Sequence, residues 1–300
     1  MNPNSFDCHL IEVRQCIEGS AVPNAIKEQI LEHSDEQQYL FLRLAYAFFT
    51  QYPGIKERDK VYMSAATYWS ATAVYAIDHV LDLQVSGPEL RPIYQNSHFC
   101  FLESQRLLAY LFPANSPFWQ AYYTRYTDHF RELELSASME RLDQKQYKKL
   151  LSCKYALIHV VIDMLDHLTD QRHMDRSFAL HHLLDTFTYG YNLPNEVKGL
   201  KTDLETGVNN YAYWRLRDRL VDLEFEIVDD PERLHGLLYA TGLAQELLNE
   251  ANDTLEEVIR QAVNIDLPDF ACIVRKRIDE NSRRLDSLGT YFAQLDAAAV

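Results

Sequence analysis

The stretch Asp78-His79-Val80-Leu81-Asp82 ends a long apolar and aromatic segment that runs from about residue 63 to residue 83. The spacing of the apolar residues in this segment predicts an α-helix. Asp78 and Asp82 are four residues apart, so they share one face of that helix, with Cβ atoms about 6 Å apart. Two carboxylates are costly to bury without a positive partner. Dications such as Mg²⁺ bind oxygen ligands, so the stretch predicts a metal site.

Helical periodicity continues along the rest of the chain. The chain has only 9 Gly and 10 Pro, and alternating strand patterns are nearly absent. We therefore predict an all-α fold, with residues 1–300 forming a single domain of about ten helices around a central cleft. The expected helices span about 22–32, 35–52, 56–84, 95–112, 117–141, 144–170, 176–192, 194–206, 209–228, 231–264 and 267–297.

The composition narrows the classes of partner. The net charge of −15 argues against nucleic acid or an anionic membrane as the partner. No apolar run is long enough for a transmembrane helix, and residues 1–15 lack the apolar core of a signal peptide. The five cysteines form neither a zinc-binding nor a CxxC pattern. We therefore expect reduced thiols and a cytoplasmic location.

A second candidate stretch is Asn195-Glu196-Val197-Lys198-Gly199-Leu200-Lys201-Thr202-Asp203. Asn195, Gly199 and Asp203 recur every four residues, so one helix face would carry an amide oxygen, a gap and a carboxylate. These groups would suit a further metal ion, and Gly199 would leave room for a water or a phosphate oxygen. Pro194 is expected to start a new helix here, with Asn192 as its N-cap, because proline disrupts a helix interior.

Lys154 lies between the two acidic stretches, 41 residues before Asn195. It precedes the apolar run Tyr155-Ala156-Leu157-Ile158-His159-Val160-Val161-Ile162, so we expect it at the head of a buried helical segment. A lysine in that position supplies a point charge to a phosphate.

The order of these features resembles the class I isoprenoid synthase superfamily, which includes prenyl diphosphate synthases, squalene and phytoene synthases, and terpene cyclases. Asp78-x-x-x-Asp82 resembles the first metal motif. Asn195-Glu196-x-x-Gly199-x-x-x-Asp203 is similar to the NDxxSxxxE motif of terpene cyclases, and Gly190-Tyr191-Asn192 stands where elongating synthases carry an aromatic residue and Gln. The resemblance covers about residues 60–215 and implies a class I terpenoid synthase-like fold.

The departures from the family pattern favour cyclisation over chain elongation. His79 replaces the second Asp of DDxxD, and no Arg pair follows Asp82, since the nearest arginine is Arg91. The resemblance then implies Mg²⁺-dependent ionisation of an allylic isoprenyl diphosphate, followed by terpene-cyclase-like ring closure. The alternatives are prenyl transfer or head-to-head condensation, and a non-catalytic binding or scaffold protein on the same fold. A homodimer is also open.

The resemblance assigns roles to individual residues. The implied metal ligands are Asp78, Asp82, Asn195, Glu196 and Asp203. The implied catalytic residues are Asp78, Asp82, Lys154, Asn195 and Asp203. The implied substrate-binding residues are Tyr75, Lys154, Tyr191, Lys198 and Lys201.

A competing second motif is Asp218-Arg219-Leu220-Val221-Asp222, which resembles the DxxxD of squalene and phytoene synthases. Its interleaved arginines are also typical of a solvated, ion-paired helix face. We prefer the stretch at Asn195, because Asp218 lies 64 residues after Lys154.

Overall fold

The structure is a computed structural model that describes residues 6–32, 36–81, 87–169, 174–226 and 229–298. The described residues form α-helices joined by turns and short 3₁₀ segments, with no strand among them. The helices are α1 Phe6–Glu18, α2 Asn24–Glu32, α3 Glu36–Phe48, α4 Glu57–Leu81, α5 Leu90–Leu111, α6 Phe118–Ser138, α7 Gln144–Lys154, α8 Val160–Leu168, α9 Met174–Thr206, α10 Tyr211–Asp222, α11 Pro231–Ala240, α12 Leu243–Asn264 and α13 Pro268–Ala298. The all-α prediction is confirmed.

The chain divides into two compact units. Unit 1 comprises Met1–Thr124, His159–Phe178 and Asp266–Phe270, and unit 2 comprises Arg125–Ile158, Ala179–Ile265 and Ala271–Val300. Each unit has its own buried apolar residues. The expectation of a single domain over residues 1–300 stays a prediction.

Helix α4 is the centre of unit 1. Its side chains Met63, Tyr68 and Trp69 are fully buried, as the apolar pattern predicted. Two serines of α5 donate hydrogen bonds to α4 carbonyls: Ser104 to Ala66 (3.0 Å) and Ser97 to Ala73 (3.3 Å). Small residues at these α4 positions allow the two backbones to approach closely. This packing holds the helix that carries Asp78.

Unit 2 is built around α9, which packs on α7, α10, α11 and α12 through a shared apolar core. Leu193 and Leu200 of α9 are fully buried in that core. Helix α7 begins with a capping box, in which the Asp143 carboxylate accepts from the Gln146 amide (2.7 Å) and the Gln146 side chain accepts from Asp143. The core and the cap together position the predicted second motif.

Three of the predicted helices are divided or joined differently in the structure, and helix α1 (Phe6–Glu18) was not predicted. Helix α9 continues through Pro194, although we expected a break there. Proline leaves the Gly190 carbonyl without its helical donor, and Arg277 donates a hydrogen bond to the neighbouring Tyr191 carbonyl (3.1 Å). The predicted helix 144–170 is divided after Lys154, where Tyr155 leaves helical geometry. The predicted helix 231–264 is divided at Gly242, whose φ of 76° is left-handed.

Within the described residues, no helix combines the length and the apolar character needed to cross a membrane.

Candidate functional site

Only one carboxylate of the first motif can be placed. Asp78 lies in the last turn of α4 and is half-buried, whereas Asp82 lies outside the described residues. Tyr75, one turn before Asp78, is also half-buried, and its ring meets that of Phe41 edge-on at 5.7 Å. The two-carboxylate donor set suits a divalent cation by its chemistry, so metal binding at Asp78 and Asp82 stays a prediction.

We had expected Lys154 at the head of a helical segment, but it is the last residue of α7. Its side chain is exposed, and its carbonyl is within hydrogen-bond distance of His129 Nδ1 (3.0 Å). A cation at a helix C-terminus is favourable. The positive charge of Lys154 lowers the pKa of Glu196, so the lysine acts on a residue of the second motif.

The predicted second motif lies in the C-terminal half of α9, and its residues make two separate sets of contacts. Asn192, Glu196 and Asp203 hydrogen-bond with residues of α7, of α10 and of the turn before α10. Asn195 instead contacts Arg277 of α13. Sequence spacing placed Asn195 and Asp203 on one face, but their side-chain oxygens serve different donors.

Asn192 lies at the centre of a buried polar network. Its amide nitrogen donates to the Tyr147 hydroxyl (2.9 Å) and to Glu196 Oε1 (2.8 Å). Its amide oxygen accepts from the Tyr155 hydroxyl (2.6 Å). Asn192 is 2% exposed and uses both amide hydrogens, so its orientation is well determined. It is an interior residue of a continuous helix and not the predicted N-cap.

Glu196 is the carboxylate of this network. Its Oε2 accepts from the backbone amide of Tyr211, the first residue of α10 (2.7 Å). Burial raises the pKa of Glu196 from 4.5 to about 7, and this effect exceeds the opposing effect of the Lys154 charge. The carboxyl group is therefore close to half-protonated at neutral pH. A ligand for Mg²⁺ needs the ionised form.

Asp203 fills the space over Gly199 that we had expected to hold a water or a phosphate oxygen. A Cβ on Gly199 would lie 2.8 Å from Asp203 Oδ2. The same oxygen accepts from Asn210 Nδ2 (2.7 Å), and Asn210 is the N-cap of α10. Gly199 is therefore required because the aspartate folds back along its own helix.

Asn195 contacts the positively charged side chain of Arg277. Its Oδ1 accepts from the guanidinium of Arg277 (3.0 Å), which is 9% exposed. That guanidinium also stacks 4.5 Å from the centre of the Tyr191 ring and pairs with Glu280 (3.0 Å). A divalent ion on Asn195 Oδ1 would have to displace this contact and approach a buried positive charge.

The residues predicted to form the second metal site therefore do not fit a metal ion in this arrangement. Asn195 serves Arg277, Glu196 has a raised pKa, and Asp203 serves Asn210. Across the described part of the chain, no group of three or more His, Cys, Asp and Glu side chains is arranged to hold a metal.

The predicted substrate-binding residues of α9 also have other partners. Lys201 pairs with Glu232, and the face of Tyr191 is covered by Arg277. Lys198 is exposed and lines a cavity of unit 2. No contact among the described residues brings Lys198, Lys201 and Tyr191 together into one binding site.

The competing motif is an ion-paired surface. Asp218 accepts from Arg141 with both carboxylate oxygens (2.8 Å each), and both side chains are exposed. Arg219 pairs with Glu246 across to α12 (2.6 Å). This is the solvated helix face that the interleaved arginines indicated.

Four residues of the network were missed in the sequence: Tyr147, Tyr155, Asn210 and Arg277. Tyr147 stacks on Tyr211 with parallel rings 4.2 Å apart, and burial raises its pKa well above 10.0. A possible signal was Asn210, which follows Gly207-Val208-Asn209 and fits an N-cap. Arg277 gave no such signal, because its partner Asn195 is 82 residues away.

The chain is similar to solved structures over nearly its full length. The polyprenyl synthase from Caulobacter crescentus CB15, complexed with calcium and isoprenyl diphosphate, matches with a TM-score of 0.67 and 13% identity, covering 93% of this chain and 94% of that one. The decaprenyl diphosphate synthase from Rhodobacter capsulatus gives 0.64 and 12%, covering 93% and 97%. The geranylgeranyl pyrophosphate synthetase from the archaeon Geoglobus acetivorans gives 0.65 and 12%, covering 89% and 96%.

No protein-family model and no curated sequence matches the chain. At these identities the likeness shows the fold, which is the isoprenoid synthase fold that the motifs implied.

Proposed function

We propose that this protein binds an isoprenyl diphosphate and transfers its prenyl group to an acceptor. The observation that carries this proposal is the full-length fold likeness to synthases of polyprenyl, decaprenyl and geranylgeranyl diphosphates. The acidic pair of the sequence, Asp78 and Asp82, supports it, and Asp78 lies in the last turn of the helix at the centre of unit 1.

Prenyl transfer is preferred to our initial expectation of cyclisation for a structural reason. Part of the case for cyclisation depended on Asn195, Gly199 and Asp203 as a metal motif, and the oxygens of that motif serve Arg277 and Asn210. The case for head-to-head condensation depended on Asp218, which pairs with Arg141. The motif that favoured each alternative therefore has other partners, whereas His79 and the lack of an Arg pair after Asp82 still argue against a standard elongating synthase.

The chemistry of the reaction assigns a role to the first motif. Asp78 and Asp82 would hold a divalent cation, whose positive charge offsets the charge that develops on a departing diphosphate. No step is assigned to Asn195, Glu196 or Asp203, because their contacts maintain the helices of unit 2.

The test is to incubate the purified protein with geranyl, farnesyl or geranylgeranyl diphosphate and Mg²⁺, with and without isopentenyl diphosphate. We expect diphosphate release that needs both Mg²⁺ and the acceptor, together with a longer prenyl product. Asp78→Asn should abolish release, and Asp59→Asn, a control on the same helix, should leave it unchanged. A cyclic product formed without the acceptor would favour cyclisation. Release unaffected by Asp78→Asn would refute the assignment of the first motif.

A non-catalytic binding protein is the second candidate function, and the contact between Arg277 and Asn195 favours it because it removes one expected metal site. Such a protein would show no Mg²⁺-dependent stabilisation by pyrophosphate and would release no diphosphate, whereas the enzyme would be stabilised. A thermal shift assay separates the two, since a ligand at one hundred times its dissociation constant adds about 2.7 kcal/mol to stability.

A further inference from the structure

A cavity of about 550 Å³ in unit 2 is lined by positively charged side chains. Its walls come from α9, α11, α12 and α13. Lys198, Arg283 and Arg284 line it, as does His235, and no acidic residue is among the described residues that line it. This is notable because the whole chain carries a net charge of −15. The volume is within the range of about 300–1,000 Å³ that is usual for ligand pockets.

The cations of this cavity are not neutralised by ion pairs. Among the described side chains, no carboxylate lies within 4.0 Å of Lys198, Arg283 or Arg284, and Arg283 donates only to the Asp279 carbonyl (3.3 Å). Two other arginines of α13 do pair with acids: Arg275 with Glu256, and Arg277 with Glu280. Three positive charges without a described carboxylate partner line one cavity, so an anion in the cavity would be stabilised.

The inner wall of the cavity is apolar. The side chains of Pro194, Val197 and Leu248 are buried and line it. Tyr239 lines it as well. Burial raises the pKa of Tyr239, and the positive charge of Arg284 acts in the opposite direction. Arg284 therefore lies close to the apolar wall. The cavity thus combines an apolar interior with positive charge, which suits a ligand that has both characters.

The cavity is distinct from the polar network around Glu196. Lys198 follows Glu196 by two residues, which is a rotation of about 200° around the helix. Glu196 contacts Asn192 and Tyr211, and none of these three residues lines the cavity. Pro194, which the network does not use, contributes to the wall.

We propose that this cavity is a metal-independent binding site for a soluble phosphorylated amphiphile, in which Lys198, Arg283 and Arg284 hold the phosphate and the apolar wall holds a hydrocarbon chain. A soluble ligand is favoured over a membrane headgroup, because the apolar residues line a concave space and do not form the protruding apolar face that inserts into a bilayer. The proposal does not depend on prenyl transfer.

The experiment measures geranyl diphosphate binding by isothermal titration calorimetry, with EDTA present and with Asp78→Asn protein, so that the predicted metal site is silent. We expect binding that Arg283→Gln/Arg284→Gln weakens at least about tenfold, since two charge-assisted contacts are lost. Arg131→Gln/Arg260→Gln, which removes the same charge from exposed positions of unit 2, should bind as the parent does. Inorganic pyrophosphate should bind more weakly than geranyl diphosphate, because it has no apolar chain.

Equal affinity in the parent and in Arg283→Gln/Arg284→Gln, or no binding to the parent, would overturn the proposal. A vesicle arm addresses the membrane source: cosedimentation with phosphatidylglycerol vesicles that depends on Arg283 and Arg284, without geranyl diphosphate binding, would also overturn it. The outcome is independent of the Mg²⁺-dependent release assay, so failure of one idea does not imply failure of the other.

Discussion

Replacing Gly199 by alanine should destabilise the protein, although the same change usually stabilises a helix. The new Cβ would lie 2.8 Å from Asp203 Oδ2, so the carboxylate has to rotate away and lose its hydrogen bond from Asn210. A hydrogen bond to a charged group is worth about 1.5–3 kcal/mol. Alanine returns about 0.5–1 kcal/mol of helix propensity. We therefore expect Gly199→Ala to lower the free energy of unfolding by roughly 1–2 kcal/mol.

Urea-induced unfolding followed by circular dichroism measures this difference. Gly236→Ala is the matched control, because Gly236 is in the interior of α11 and no atom lies within 4 Å of the added Cβ. That variant should be more stable than the parent by up to about 1 kcal/mol. Adding Asn210→Ala tests the mechanism, since it should cost less in Gly199→Ala protein than in the parent. A Gly199→Ala protein as stable as Gly236→Ala would refute the reasoning.

Three further predictions concern the same unit. The pKa of Glu196 is raised from 4.5 to about 7, so its contribution to stability is full below pH 4.5 and is lost as the pH rises to 7. The free energy of unfolding of the parent should therefore fall between pH 4.5 and pH 7, and Glu196→Gln should reduce that fall by up to about 3 kcal/mol. If urea unfolding gave the same pH dependence for both proteins, the prediction would be contradicted. Arg277→Met should lower stability by about 3 kcal/mol, because it leaves the partners of a buried cation without their hydrogen bonds. Arg275 is exposed, so Arg275→Met should cost at most about 1 kcal/mol. Equal thermal shifts for the two variants would exclude a special role of Arg277. Asp143→Ala should cost about 1 kcal/mol through loss of the α7 cap, and a neutral result in thermal unfolding would show that the capping box is dispensable.

The fold class was predictable because helical periodicity and the scarcity of glycine and proline are properties of the whole chain. Local boundaries were less so. Pro194 was expected to break a helix, since proline removes one hydrogen bond, but the buried core around α9 keeps the helix continuous. The cap at Asp230 was predictable from its sequence context, because a cap needs local residues alone; its carboxylate accepts from the Glu232 amide (3.0 Å).

The candidate site was harder to predict because its contacts are distant in sequence. Spacing alone placed Asn195 and Asp203 on one face, and nothing near Asn195 indicates that Arg277 would hold its oxygen. The raised pKa of Glu196 likewise depends on burial that only the packed helices create. The residue types and their order were sufficient to identify the fold. The role of the second motif, which is to hold the helices of unit 2, depends on the partners of each side chain and was visible only in the structure.

Gly199 has a consequence for attempts to redesign this protein. The terpene cyclase pattern carries Ser at that position, and any side chain there meets the carboxylate of Asp203. Introducing the serine alone would therefore disturb the N-cap of α10 and not create a metal ligand. Positions 199, 203 and 210 form one coupled unit, and Arg277 separately holds Asn195. A metal-binding second motif is therefore separated from the present one by several simultaneous substitutions, and the effects of those within one unit are not additive.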